Sequence, residues 1–202
     1  MKNHSASNFG KDFGVVHEAV VTGRKVGADE KFWAKLAHDD NLFSQVMKVA
    51  EGLAEINIVK HIIDGDADPF IPDSWSVEKR GHKKCGQIEF SPERFEFYLS
   101  EGQQNGKCIG GNKLRKELKD KPVLNANVMD YLLKNPQLIP EDWKKDENGN
   151  TRYIFFWGTI YRSSVGDLYV RYLYWVGGRW YWDGYWLGLD WDGDYPALLL
   201  AS

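Results

Sequence analysis

The residues best suited to chemistry in this chain are gathered between Tyr172 and Tyr195. Tyrosine, aspartate and glycine alternate there with tryptophan, whereas histidine and cysteine do not occur after Arg152. Tyrosine and tryptophan provide large contact areas at a low cost in conformational entropy, and aspartate adds charge and hydrogen-bond acceptors. This mixture is typical of a surface that recognises another molecule, so we expect binding rather than catalysis.

The composition of the same part of the chain supports that interpretation. The segment 153–202 contains no Lys, Glu, Gln or Met, although the rest of the chain has 18 Lys and 12 Glu. Soluble domains normally place Lys and Glu freely on their surfaces. We therefore expect that a requirement other than solubility determines which residue types occupy the surface of this segment.

Tryptophans also crowd this segment, and we expect them to form a scaffold rather than the binding surface. Indole rings are costly to expose repeatedly, and several of them can hold together an otherwise irregular loop. The expected scaffold residues are Trp157, Trp175, Trp180, Trp182, Trp186 and Trp191.

The first part of the chain must support this segment, and it contains two stretches of different character. Residues 1–28 are polar and weakly periodic, and they are interpreted as a flexible lead. Residues 29–80 are predicted to be a small α-helical region, in which Asp29 caps the first helix. Its apolar stripes are expected to be core, and its helical spacing continues through residues 56–63.

The remainder, residues 81–202, is predicted to be one domain of the α+β class. A short strand at 87–90 precedes two helices, one begun by Ser91-Pro92 and one capped by Asn125. After Arg152 the spacing of apolar residues changes from the helical period to the strand period. The predicted strands are 153–161, 168–175, 179–182 and a closing strand at 197–201.

This C-terminal segment resembles the variable region of proteins that are altered by diversity-generating retroelements. In that family, adenines of a template copy are randomised, and the resulting codons end in a pyrimidine and cannot encode Lys, Glu, Gln, Met or Trp. Four of those five residue types are missing from 153–202, and Trp fits the fixed scaffold. The resemblance implies a C-type-lectin-like domain, in which a short strand and two helices precede an antiparallel sheet closed by the C-terminal strand, after a small helical N-terminal region.

The same resemblance implies a variable segment at about 168–200 with exchangeable side chains that face a ligand. These positions are Tyr172, Tyr174, Val176, Tyr181, Asp183, Tyr185, Leu189, Asp192, Asp194 and Tyr195. It also implies a non-catalytic protein whose fixed scaffold presents this surface to diverse targets, expected to be proteins or other cell-surface ligands.

A second function is compatible with some of the same residues. A carbohydrate-binding module would stack sugar rings on exposed indoles, and its carboxylates would accept hydrogen bonds from sugar hydroxyls. In this chain the indoles would be Trp180, Trp182 and Trp186, and the carboxylates Asp183 and Asp190.

Enzymes and metal-dependent proteins need residues that the sequence does not bring together. The five histidines are scattered through the first half, without partners at catalytic or zinc spacing, so no enzyme is expected. A loop starting at Asp64 fails the EF-hand pattern, because Pro69 and Trp75 occupy the positions of the required Gly and Glu. The aspartates Asp190, Asp192 and Asp194 are most simply solvated, and neither a metal nor a cofactor is expected.

Charge and hydropathy limit the partners further. The net charge is −3, and the chain after Trp180 has four Asp and no basic residue, so nucleic acid is not an expected partner. The basic stretch 113–118 is interpreted as a solvated helix face.

No apolar run approaches about 18 residues, and the N-terminus lacks a signal peptide. These features predict no membrane span and favour the cytoplasm, with export by another route left open. Cys85 and Cys108 are interpreted as free thiols.

Overall fold

The computed structural model of the chain describes residues 9–57 and 59–201, which divide into one compact unit up to Val59 and another from Lys60 onwards. The helices are α1 (Phe9–Lys25), α2 (Glu30–His38), α3 (Asp40–Ala50), α4 (Gly111–Glu117) and α5 (Ala126–Lys134). The strands are β1 (Ile62–Asp64), β2 (Trp75–His82), β3 (Gln87–Glu89), β4 (Phe95–Tyr98), β5 (Ile109–Gly110), β6 (Ile154–Ser163), β7 (Leu168–Val176), β8 (Arg179–Trp186), β9 (Asp190–Trp191) and β10 (Ala197–Leu200). The predicted α+β class is therefore confirmed.

The first unit contains the helices α1 to α3. The side chain of Asp29 accepts a hydrogen bond from the backbone N–H of Phe32 at 2.8 Å, and Asp39 caps α3 in the same way. Such caps satisfy N–H groups that have no partner in the first helical turn. No residue of α2 or α3 is buried, so their apolar stripes do not form the buried core that the sequence indicated.

The structure corrects the expectation of a flexible lead over residues 1–28. Residues 9–25 form the helix α1, and the rest of the expected lead up to residue 8 lies outside the described residues. The basic pair Arg24 and Lys25 occupies the last helical turn, where cations interact favourably with the helix dipole. Gly27 follows with a positive φ of 98°, a conformation typical of the residue that ends a helix.

The second unit is organised around a six-stranded sheet. The order of five strands is β4-β10-β6-β7-β8, and β2 pairs with the other half of β6. The pair β10–β6 is parallel through Ala197 and Phe155, whereas the other pairs of this sheet are antiparallel. The sheet is therefore mixed rather than antiparallel throughout, and the C-terminal strand lies inside it rather than at its edge.

Three segments differ from the elements that the sequence predicted. Residues 95–98 form β4 instead of a helix, because Phe95 and Phe97 pack against the core while Glu96 is exposed. Residues 62–64 form β1 instead of continuing a helix, with Ile63 buried between two exposed neighbours. The second unit accordingly starts at Lys60, well before the expected boundary at residue 81.

Two buried clusters cover the two faces of the sheet. One contains Met129 and Leu132 of α5 together with Phe156 and Leu173. The other contains Leu114 of α4 with Phe155, Trp157 and Trp191 of the sheet side. Within the described ranges no helix is long and apolar enough to cross a membrane.

Candidate ligand-binding face

Strands β7 and β8 form a regular antiparallel hairpin that carries most of the predicted ligand-facing residues. Tyr172 lies opposite Asp183, and Tyr174 lies opposite Tyr181, in an unbroken register that ends with Val176 and Arg179. Alternate residues of a strand point to the same side of a sheet, and directly opposed residues share a side. Six predicted positions therefore share one side of the sheet: Tyr172, Tyr174, Val176, Tyr181, Asp183 and Tyr185.

The hairpin turn explains why this register is regular. Gly177 and Gly178 connect the strands, and their φ angles are 58° and 86°. A two-residue turn with positive φ at both positions matches the twist of the flanking strands, and glycine adopts it without strain. The predicted turn is confirmed, and β8 extends to Trp186, four residues beyond the predicted end at Trp182.

The tyrosines of this side form a continuous group of rings. The ring centroids of Tyr172 and Tyr174 are 5.5 Å apart, those of Tyr174 and Tyr181 are 6.0 Å apart, and those of Tyr185 and Tyr195 are 4.9 Å apart. Tyr153 links the group, with centroid distances of 5.6 Å to Tyr172 and 6.1 Å to Tyr195. We call this surface the tyrosine face, made of Tyr153, Tyr172, Tyr174, Tyr181, Asp183, Tyr185 and Tyr195.

All the predicted ligand-facing positions reach solvent to some extent. The tyrosines are half-buried, whereas Val176, Asp183, Leu189, Asp192 and Asp194 are exposed. Half-burial fixes a ring in place and still leaves its edge and hydroxyl for a partner. The surface is therefore both ordered and accessible.

Buried aromatic residues support the tyrosine face from below. The ring centroid of the fully buried Phe155 lies 4.9 Å from that of Tyr172 and 4.6 Å from that of Trp191. Trp191 in turn lies 4.6 Å from Trp157. Trp157 and Trp191 thus hold the scaffold positions that the sequence predicted.

The opposite side of the hairpin packs on helix α5. Trp180 is buried, and Trp175 meets it edge to face at 5.4 Å. The guanidinium of Arg171 lies 3.9 Å from the ring of Trp182 and forms a bidentate ion pair with Asp130, at 2.9 and 3.2 Å. These contacts place Trp175, Trp180 and Trp182 in or beside the core and leave Trp180 unable to stack on a sugar.

Trp186 departs from its predicted scaffold role. It is the last residue of β8 and is 39% exposed. Its ring covers Gly188, where a Cβ atom would come within 2.4 Å of the indole. More than a third of this side chain is therefore open to solvent, unlike the buried indoles of Trp157, Trp180 and Trp191.

The loop after β9 carries the remaining predicted residues. The buried side chain of Gln103 donates hydrogen bonds to the backbone carbonyls of Asp192 at 2.9 Å and Tyr195 at 3.1 Å. Asp194 lines a cleft of about 620 Å³ beside the face, together with Arg152. Leu189 is fixed through its backbone, because its carbonyl accepts a hydrogen bond from the N–H of Gly111. Its side chain is not part of the group of tyrosine rings.

Burial and neighbouring charge tune the ionisable groups of the face. Burial raises the pKa of Tyr172, and the carboxylate of Asp183 on the opposite strand raises it further. Burial also raises the pKa of Tyr195, followed by its hydrogen bond with Tyr185. Both phenols therefore stay protonated near neutral pH, when they can donate and accept hydrogen bonds.

Three contributors to this site were missed from the sequence. Tyr153 was assigned only to a strand, although its two-residue spacing from Phe155 indicated a shared side. Arg179 donates a hydrogen bond to the hydroxyl of Tyr181, and its guanidinium lies 4.7 Å from the ring. Gln103 had no local signal, because its partners lie about ninety residues further along the chain.

Metal binding has no further support from the geometry. Among the residues that the structure covers, no group of three or more His, Cys, Asp or Glu side chains is arranged to hold a metal ion. Asp192 instead accepts a hydrogen bond from the backbone N–H of Asp194 at 3.0 Å, as in a solvated turn. Cys85 and Cys108 are both free thiols, as the sequence indicated.

No protein-family model, curated protein or solved structure matches the chain, and its function must therefore be argued from its own residues.

Proposed function

We propose that this chain is a non-catalytic binding protein whose tyrosine face recognises protein targets on a fixed scaffold. The observation that carries the proposal is the register of the β7–β8 hairpin, which directs Tyr172, Tyr174, Tyr181 and Asp183 to one accessible side. The alternate residues, among them Leu173 and Trp180, enter the core on the other side. One strand pair thus separates the residues that bind from those that stabilise.

The chemistry of the face suits protein recognition. Tyrosine and arginine are the residues most often found at energetic centres of protein interfaces, because they combine apolar contact with hydrogen bonding. Here neutral phenol hydroxyls, the carboxylate of Asp183 and the guanidinium of Arg179 lie beside one another on a preorganised surface. A target therefore binds without paying for the ordering of a loop.

Retroelement diversification is part of the same proposal. The predicted exchangeable residues of the hairpin alternate with residues such as Leu173 and Trp180, which are buried on the other side of the sheet, so replacing the former leaves that part of the core in place. The lack of Lys, Glu, Gln and Met in 153–202 supports codon restriction at those positions. A C-type-lectin-like assignment for the second unit belongs to this proposal, and the α+β class of its elements is compatible with it.

The function is tested by replacing the face and asking whether new targets are bound. A displayed library randomises Tyr172, Tyr174, Tyr181, Asp183 and Tyr185 and is selected on purified lysozyme, streptavidin and immunoglobulin Fc. The matched control library randomises five exposed residues outside the face, namely Lys113, Glu117, Asp120, Lys134 and Glu147. We expect specific binders from the first library and none from the second.

Two outcomes would contradict the proposal. If most members of the face library fail to fold, the tyrosines are structural and do not form an exchangeable surface. If both libraries give binders at the same rate, the face has no special capacity for recognition. The diversification itself is tested in the DNA that flanks the gene, where we expect a near-copy of the segment 168–200 that differs mainly at adenines, beside a reverse-transcriptase gene.

A carbohydrate-binding function keeps one specific observation in its favour, the exposed ring of Trp186. A glycan array probed with the native chain and with Trp186→Ala tests it. Glycan binding that is lost in Trp186→Ala, while folding persists, would favour this function over protein recognition. Binding that survives the replacement would exclude sugar stacking on this ring.

A further inference from the structure

A second surface feature lies outside the tyrosine face, in a groove of about 560 Å³ that we call the basic groove. Five cationic side chains line it: Arg80, Lys83, Arg115, Lys116 and Lys119. Apolar residues, including Trp157 and Ile160 of β6, complete the lining. No acidic residue belongs to this lining, although the chain as a whole has a net charge of −3.

The five cations have no carboxylate partners within the described residues. The ion pairs found there involve other cations, Lys60, Lys144, Arg162 and Arg171. Lys83 donates to the backbone carbonyl of Lys121 at 2.5 Å, which does not neutralise its charge. Like charges gathered around one groove repel one another, and an anion bound between them relieves that repulsion.

A buried polar group at the same place is also without a partner. The side chain of Trp157 is 4% exposed, and its indole N–H has no hydrogen-bond acceptor among the described residues. A buried donor without an acceptor costs free energy, and such groups in native structures call for an explanation. Trp157 also lines the basic groove, so a ligand that enters the groove lies beside this indole ring.

The backbone under Arg80 is unusual in a way that favours a functional role. Arg80 has a positive φ of 58°, and it lies within the register shift between Val77 and His82 of β2. A bulge redirects side chains, and a non-glycine residue in the left-handed region is strained, so other interactions must offset its cost. Arg80 lines the same groove as Arg115 and Lys116 of α4.

We propose that the basic groove binds a small phosphorylated ligand of nucleotide size, with its phosphates held by the cations and its apolar body against β6. The cations come from two segments, Arg80 and Lys83 from β2 and the residue after it, and Arg115, Lys116 and Lys119 from α4 and the turn after it, which suits a ligand with more than one anionic group. The volume falls within the range of small-molecule sites. Arginine and lysine side chains are the usual partners of phosphate oxygens.

The test measures binding of ATP, pyrophosphate and adenosine to the full chain by titration calorimetry at 0.15 M salt, a condition that screens weak surface attraction. The variant is Arg115→Gln combined with Lys119→Gln, and the matched control is Lys113→Gln, an exposed lysine of α4 that does not line the groove. We expect the double variant to weaken ATP binding by about tenfold or more, since each charged hydrogen bond contributes about that factor. The control is expected to change it by less than about twofold.

A second readout follows the indole N–H of Trp157 in ¹H–¹⁵N spectra, assigned through Trp157→Phe. We expect its resonance to shift on addition of ATP in the native chain and in Lys113→Gln. An equal loss of affinity in the control would show unspecific attraction to surface charge and overturn the proposal, as would the absence of binding at millimolar ATP. Pyrophosphate that binds as tightly as ATP would overturn the role given to the apolar side of the groove, and adenosine that binds as tightly would overturn the role of the cations.

Discussion

Tyr174 lies directly opposite Tyr181 on the neighbouring strand, and their rings stack with centroids 6.0 Å apart and planes inclined by 29°. Both rings are half-buried, whereas Leu173, the next residue on β7, is completely buried on the other side of the sheet. The pair is therefore expected to contribute to the free energy of unfolding as a surface pair does, although it lies in the middle of a regular hairpin.

The first prediction concerns the loss of stability when both tyrosines of that pair are replaced. Replacing both tyrosines with serine is expected to lower the free energy of unfolding by about 1 kcal/mol or less, the usual contribution of a cross-strand pair. The control Leu173→Ala leaves a cavity and is expected to cost about 2–5 kcal/mol. Urea unfolding measures both, and equal losses would show that the tyrosines are part of the core.

A second prediction concerns the ionisation of Tyr172. Its pKa is raised above the ordinary value of 10 by burial and then by the charge of Asp183, so its phenol stays protonated when exposed tyrosines have ionised. Asp183→Asn is expected to lower that pKa without restoring the ordinary value, because burial is the larger cause. Tyrosine ring carbon shifts followed by NMR from pH 8 to 12 measure the titration.

The raised pKa of Tyr172 also determines how the free energy of unfolding changes with pH. Because folding raises the pKa of Tyr172, the unfolded chain releases this proton first as pH increases. Its contribution to the free energy of unfolding is therefore complete below pH 10 and is lost as the pH rises above that value. Tyr172→Phe should reduce the alkaline fall in stability, and an unchanged fall would contradict the raised pKa.

A third prediction concerns the loop that carries Tyr195. Gln103→Glu replaces a buried amide donor by a carboxylate that faces the carbonyl oxygens of Asp192 and Tyr195. We expect a loss of about 2–3 kcal/mol in the free energy of unfolding, typical of a buried polar group without its partner. Gln104→Glu is the matched control, because its side-chain bond to the carbonyl of Leu99 is exposed to solvent.

The control fixes how the Gln103 result is interpreted. If Gln104→Glu destabilises the chain as much, the added negative charge is responsible rather than the lost hydrogen bonds. Urea unfolding gives both values. Faster hydrogen exchange at Tyr195 in Gln103→Glu alone would locate the effect in the loop beside the tyrosine face.

The fourth prediction concerns the ion pair between Arg171 and Asp130. The side chain of Arg171 is 1% exposed, and Arg171→Met leaves the carboxylate of Asp130 without its cation. Burial raises the pKa of this carboxyl, an effect that Arg171 opposes, so removing the cation raises the pKa further. We expect a loss of about 3 kcal/mol in the free energy of unfolding.

The double replacement Arg171→Met with Asp130→Leu tests the reason for that loss. It removes both charges and is expected to recover most of the stability, because no uncompensated charge stays beneath β7. Urea unfolding compares the single and the double variant. A double variant as unstable as the single one would show that packing around Arg171, including Trp182, matters more than charge.

Parts of the fold could be predicted because their signals are local. Gly177 and Gly178 between two alternating aromatic runs define a hairpin, and the side chain of Asn125 caps α5 within two residues. The strand β4 was mistaken for a helix because Phe95, Tyr98 and Leu99 also have helical spacing. Its partner is β10, about a hundred residues away, and this pairing decides the outcome.

The candidate site shows the same division. The ligand-facing positions that the resemblance implies on β7 and β8 share one side of the hairpin, because period-two alternation separates them from buried neighbours such as Leu173. The exposure of Trp186 could not be predicted from the sequence, since it depends on where β8 ends. The basic groove was also missed, because Arg80 and Arg115 meet only through the bulge in β2 and the packing of α4 beside β6.

The placement of β10 between β4 and β6 has a consequence for how the chain is made. Residues 197–200 form the last strand among the described residues, and without them β4 and β6 have no direct contact in the sheet order. Domains generally fold as units when the ribosome releases enough chain, so this sheet cannot close during translation of its earlier strands. Until those four residues leave the exit tunnel, β6 to β8 lack the strand that joins them to β4, and unpaired strand edges of this kind are prone to aggregation.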